Sequence, residues 1–226
     1  MSRSLVAPIA LAATVFCAAQ AQADTLTFAG FANGSESVNI VVGAPNVATT
    51  LSTQAGGFSA SLNGGPSFVS YCIDLYQSIG FGTPIAGYTL LPAASHAFAN
   101  ANAATDIGKL FAENNLVNNS VTQAAFQIAI WEIAYETAGA YNLGSGAAQF
   151  SGGSAATSGA LTLATSWLGS LSGTTNNAYN VWALDSAGNQ DQVFATPVPE
   201  PSTYALMVGG LLAMGFVARR RSARQG

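Results

Sequence analysis

Of the 226 residues, 50% are hydrophobic and only 7% are charged, against about 25% charged in ordinary soluble domains. Between Asp24 and Thr196 a single basic residue, Lys109, stands against nine acids (Asp24, Glu36, Asp74, Asp106, Glu113, Glu132, Glu136, Asp185 and Asp191), an excess of eight negative charges. That balance excludes nucleic acid and anionic lipid surfaces as partners of this region, and asparagine, serine, threonine and glycine are left to keep it soluble.

The chain begins with Arg3, an apolar run from Leu5 to Ala19 and the small-residue sequence Ala21-Gln22-Ala23. This reads as a secretory signal peptide over residues 1–23, forming a signal helix and cleaved before Asp24. Phe16 is too bulky to precede a lipidated cysteine, so a lipoprotein leader using Cys17 does not fit. Once Cys17 leaves, Cys72 is the only cysteine, and an internal disulfide is impossible.

From Asp24 to about Ile79 apolar and polar residues alternate in short stretches rich in β-branched and aromatic side chains. Glycine and proline punctuate them at Gly30, Gly34, Gly43-Ala44-Pro45, Gly56-Gly57 and Gly64-Gly65-Pro66. The pattern predicts antiparallel strands joined by turns. The most continuous, Ser67 to Leu75, is expected to be central, with Ser70, Cys72 and Asp74 on one face and Val69, Tyr71 and Ile73 on the other. Ile85 to Leu90 predicts one further strand.

After Pro92 the composition turns alanine-rich, and helices are predicted over Ser95–Ala104 and Thr105–Asn115. The strongest element follows: Ser120 to Thr137 places Val121, Ala124, Ala125, Ile128, Trp131 and Tyr135 on one face and Phe126, Ile130 and Ile133 on another. Little circumference remains for water, so this helix belongs inside. Ser120 and Gln123 have the spacing of a capping box. Gln127 then sits mid-helix in a buried segment, where an unpaired carboxamide is costly. Tyr141 to Ser158 is Gly, Ser and Ala with little pattern and reads as a flexible surface loop. A helix over Gly159–Leu171 and strands over Tyr179–Leu184 and Gln190–Ala195 complete an α+β domain, residues 24–196. The expected fold is an antiparallel sheet or sandwich with a helical insertion of three to four helices.

Residues 197–226 carry Pro199, Glu200 and Pro201, then an apolar run from Tyr204 to Ala218, then Arg219, Arg220, Arg221 and Arg224. Helical throughout, that run of fifteen residues would span about 23 Å, a short transmembrane helix against a hydrocarbon core of about 30 Å. The arginines place the tail in the cytoplasm and the domain across the membrane. Motif, helix and arginine cluster together resemble the PEP-CTERM sorting signal of Gram-negative bacteria, also described as the ice-binding protein C-terminal domain. The resemblance implies recognition by an exosortase, an inner-membrane intermediate, loss of the tail, and delivery to the cell envelope or an exopolysaccharide matrix. It implies no ice binding.

Tyr71-Cys72-Ile73-Asp74 and Phe126-Gln127-Ile128-Ala129-Ile130-Trp131 together resemble the paired motifs of bacterial thioester domains. That resemblance implies an internal thioester between Cys72 and Gln127, with Tyr71, Asp74 and Trp131 as supporting residues, open to attack by an amine or hydroxyl on a protein or polysaccharide partner; His96 would assist that transfer if it lies near Cys72. Taken singly, a strand cysteine is a small buried hydrophobe and a helix glutamine a hydrogen-bonding residue. The sequence departs from the family at Phe126, where Thr is frequent. Glu132 and Glu136, four apart, are the candidates if the protein is instead a secreted glycan-active enzyme; they also suit a solvated helix face. His96 is the single histidine, which leaves no set for His-based metal binding or Ser-His-Asp catalysis and suits a helix surface. No phosphate-loop spacing occurs. The expectation is a non-catalytic envelope or matrix protein for attachment or exopolysaccharide association, without cofactor or metal.

Overall fold

Alternation builds the sheets. In the computed structural model, which describes residues 23–43, 48–113, 117–137, 140–176, 178–199, 206–212 and 214, the second strand, β2 (Glu36–Gly43), buries Val38, Ile40 and Val42 and exposes Asn39 and Gly43. It pairs along its length with β3 (Ala48–Ala55). On its other edge it pairs with β7 (Ala148–Ser151), giving the sheet order β3-β2-β7. The remaining strands are β1 (Asp24–Phe31), β4 (Phe58–Leu62), β5 (Ser67–Cys72), β6 (Ile85–Pro92), β8 (Tyr179–Asp185) and β9 (Gln192–Pro197). They close into a barrel in the order β1-β4-β5-β9-β8-β6, every adjoining pair antiparallel. The expected sheet or sandwich is thus a closed barrel plus a small separate sheet. Closure leaves the six strands without the exposed edges an open sheet would present.

The helices are α1 (Ala103–Glu113), α2 (Ser120–Tyr135), α3 (Gly153–Thr157) and α4 (Ala160–Ser170). Helix α2 is buried without a break from Gln123 to Ala134, as its two apolar faces predict. It packs against α1, α4, the small sheet and β5. Its cap differs from the expected one. Asn119, not Ser120, is the N-cap: its side chain accepts from Thr122 N at 3.0 Å, and Thr122 Oγ1 accepts from Asn119 N at 3.1 Å. Ser120 Oγ is spent instead on Glu36 Oε1 at 2.7 Å, tying the helix start to β2. Asn119→Ala should lower stability by about 1 kcal/mol in a denaturant titration.

Two further expectations are corrected. Ser95–Ala104 is not a helix: residues 93–95 make one 3-10 turn, His96 is extended, and helix resumes only at Ala103. The reason is tertiary, because His96 Nδ1 meets Asp185 Oδ1 at 2.7 Å and is drawn towards β8. The stretch 141–158 is not a featureless loop either, since it holds β7 and α3. Ala148 and Phe150 alternate inward and take the free edge of β2, a signal too short to stand out in glycine-rich sequence.

Among the described residues no helix is long and apolar enough to cross a membrane. Residues 206–212 and 214 are helical and exposed, while the rest of the expected span, the leader 1–22, Glu200, Pro201, Arg219, Arg220 and Arg221 lie outside the described residues. Pro199 is exposed just beyond β9.

Candidate functional site at the end of strand β5

Strand β4 accompanies β5 only as far as the pair Phe58 and Ser70. Beyond it, Ile73 N donates to Asp191 O at 3.0 Å on the β9 side, so the N–H and C=O of Cys72 point to the side that β4 has left. Gln127 of α2 fills that place. Its Oε1 accepts from Cys72 N at 2.9 Å and its Nε2 donates to Cys72 O at 2.7 Å, so a side-chain carboxamide serves as the missing peptide group. Both residues are buried, Gln127 at 0% and Cys72 at 1% exposure.

Neighbouring contacts fix this junction. The Tyr71 ring packs on Phe126 with centroids 4.7 Å apart and on Phe111 at 6.0 Å. Gln123, one turn before Gln127, accepts from Gly57 N at 2.9 Å. A Cβ at Gly57 would sit 2.3 Å from that oxygen and 2.8 Å from Tyr71 and Val69, so only glycine lets α2 come this close. Leu75 N donates to Tyr135 Oη at 2.9 Å, anchoring the segment after β5 to the same helix. Gln190 Nε2 holds that segment from the other side, donating to Asp74 O at 3.0 Å and Gln77 O at 2.7 Å.

The sulfur of Cys72 donates to Asp74 O at 2.8 Å. Burial pushes the thiol well above its usual range, offset in part by the Asp74 carbonyl and the Trp131 indole. Asp74 is not the buried, same-face neighbour that strict alternation predicts. The strand ends at Cys72, and the Asp74 carboxylate, half-buried, turns to accept from Tyr76 N at 2.8 Å. Cys72 and Trp131 line a cleft of ≈ 610 Å³ whose walls include Phe31, Gln77, Phe81 and Gln190. Tyr76 and Phe81, at 53% and 49% exposure, form part of its rim.

The structure therefore brings together Tyr71, Cys72, Asp74, Gln127 and Trp131. It places His96 elsewhere, half-buried in a second cleft of ≈ 710 Å³ with Asp74, Asp185 and Asp191. The ligand atoms of His96, Asp185 and Asp191 lie within 4.8 Å of one another, a grouping that could hold a cation and that the single histidine had concealed. Burial raises the Asp191 carboxyl, and the Asp185 and Asp74 charges add to this against the pull of Ser186 N and His96. Glu132 and Glu136 line neither cleft. Both are buried, contrary to a solvated stripe. Glu132 Oε1 accepts from Asn142 N at 2.6 Å, and Glu136 accepts from Thr137 N at 2.9 Å and Ala147 N at 3.3 Å. They hold the segment leading to β7. Gln77 and Gln190 carry no sequence signal of their own and emerge only with the contacts, while Gln123, expected to close a capping box with Ser120, accepts from Gly57 N instead.

Residues 197–221 match the PEP-CTERM protein-sorting motif. The domain is similar in fold to the N-terminal domain of the Streptococcus pyogenes pilus tip adhesin Cpa, with a TM-score of 0.51, 13% sequence identity, and coverage of 80% of this chain and 97% of that one. No curated relative matches the chain in sequence. The chain thus carries an exosortase-recognised sorting motif, which marks it for export across the membrane to the cell envelope, behind a domain similar in fold to that N-terminal domain.

Proposed function

We propose that the mature domain is a non-enzymatic attachment protein of the envelope or extracellular matrix that captures a partner covalently through an internal thioester between Cys72 and Gln127. The observation carrying this reading is the pair of hydrogen bonds between the Gln127 carboxamide and the Cys72 backbone, buried beside the thiol. They hold the carboxamide against the Cys72 backbone in a dry site, which restricts its orientation and would protect the product from water. The Cys72 N–H already rests on Oε1, the atom that carries negative charge when sulfur adds to the Gln127 carbonyl carbon, and can stabilise it there. The S–C bond forms, the C–Nε2 bond breaks, and ammonia leaves with the thiol proton.

An amine fits the second step better than a hydroxyl. Among the described residues the cleft is lined by no histidine, carboxylate, lysine or arginine, and His96 belongs to the other cleft, so none of these would deprotonate an alcohol. A neutral amine needs no such help. A polysaccharide partner on this reading is one that bears amino groups. The sorting motif supplies the route, with a transient membrane stage at the Tyr204 to Ala218 segment, followed by release of the arginine tail.

The test is the intact mass of the purified domain. Thioester formation should lower it by about 17 Da, and methylamine should then add its own mass at Gln127. Cys72→Ala should abolish both changes. An unmodified mass in the wild-type protein from its own host, with Cys72 titrating as a free thiol after unfolding, would sink the proposal.

A further inference from the structure

Among the described residues three buried side-chain polar atoms have no hydrogen-bond partner: Gln77 Oε1, Trp131 Nε1 and Glu132 Oε2. Buried polar atoms left unpaired are expensive and uncommon. Two of these three belong to residues that line one cleft, and Cys72 lines the same cleft. They are complementary, one a donor and one an acceptor. Trp131 is 3% exposed, and its indole favours the Cys72 thiolate although its N–H makes no hydrogen bond of ordinary geometry. Gln77 is held through its backbone carbonyl by Gln190 Nε2 at 2.7 Å, which leaves its side-chain oxygen free of that duty.

We propose, resting on the thioester reading, that Trp131 and Gln77 are the donor and acceptor for acyl transfer at Cys72. The incoming amine attacks the Gln127 carbonyl carbon and the C–S bond breaks with its electron pair going to sulfur. Trp131 Nε1–H donates to the sulfur as that charge appears, and Gln77 Oε1 accepts an N–H of the attacking amine. The surplus amine proton ends on Cys72, leaving a thiol and a substituted amide at Gln127.

The roles separate by nucleophile. A thiol such as 2-mercaptoethanol opens the same bond but has no N–H for Gln77 to accept. First the domain is shown by mass to have lost ammonia; if it has not, the thioester reading itself fails, and this proposal with it. Opening is then timed by mass with methylamine and with 2-mercaptoethanol. Trp131→Phe keeps the ring and removes the donor, and should slow both nucleophiles by about tenfold to a hundredfold, the range of a lost hydrogen bond to a charged group. Gln77→Met should slow methylamine by about tenfold while leaving thiol exchange within about twofold. If the ratio of the two rates is unchanged in Gln77→Met, the acceptor role is overturned. If Trp131→Phe, with a wild-type melting profile, opens at the wild-type rate, the donor role is overturned. Should Trp131→Phe fail to fold, the nucleophile ratio in Gln77→Met decides alone.

Discussion

Replacing Gln127 by leucine should cost about 3–5 kcal/mol of folding stability, in protein that has not formed a thioester. The volume is nearly kept, so cavity formation contributes little. The cost comes from the Cys72 N–H and C=O, both buried and both satisfied by the Gln127 carboxamide. Leucine leaves the two main-chain groups unpaired where β4 has already turned away, at about 1–3 kcal/mol each. Gln127→Glu should cost less at low pH, where a protonated carboxyl can still accept from one group and donate to the other. Urea titrations of Cys72→Ala and Cys72→Ala/Gln127→Leu isolate the effect, because neither can form the thioester. A difference under about 1 kcal/mol would mean that the carboxamide is incidental to the fold.

Stability should also fall as pH rises from about 4.5 to about 7, by roughly 3 kcal/mol from Glu132 alone. Its carboxyl is pushed up to about 7, first by burial and then by the Glu136 charge, against the pull of Asn142 N. The folded-state value lies above the unfolded one, so between the two the native state binds more protons. The contribution is therefore complete below the unfolded value and disappears as pH passes through the folded value. Glu132 Oε2 has no partner, which is tolerable for a neutral carboxyl and costly for a carboxylate. Comparing wild type with Glu132→Gln at pH 5 and pH 8 removes the contributions of other acids. The wild type should lose stability relative to the variant across that interval; parallel curves would show that Glu132 ionises freely in the fold. The segment from Asn142 to Ala147, held by Glu132 and Glu136, should loosen first, visible as faster amide exchange at Asn142.

Much of the fold was legible because periodicity reports burial. Helix α2 could be placed inside from its two apolar faces, and the strands of residues 24–79 from alternation and glycine punctuation. What alternation could not report was which strands meet. The closure of β1 on both β4 and β6, and the insertion of β9 between β5 and β8, depend on contacts distant in sequence. Caps were misplaced where a tertiary partner outbid a local one, as when Glu36 claimed the Ser120 hydroxyl.

The same limit applies to the site. Cys72 and Gln127 could be paired from their flanking residues, yet the form of the pairing, side-chain amide to backbone, could not. Face arithmetic assigned Cys72 and Tyr71 to opposite sides, whereas both touch α2, because the helix crosses the strand where it ends. His96 carried the opposite lesson. A lone histidine has no visible partner in sequence, and Asp185 and Asp191 come to it only through the turn between β8 and β9.

The position of β9 has a mechanical consequence. Its last residue, Pro197, pairs with Tyr179 and is also the first residue of the sorting motif, so the folded domain meets that motif with no slack between them. A pull on the motif enters the barrel through β9. Its neighbour on one side is β5, joined to it through Tyr71 with Val193 and Cys72 with Gln192. On the proposed thioester reading, force applied to a partner held at Gln127 would cross the Cys72 backbone and then this short ladder to reach the sorting motif. The three-stranded sheet lies off that line, so it could unravel under load without releasing the grip.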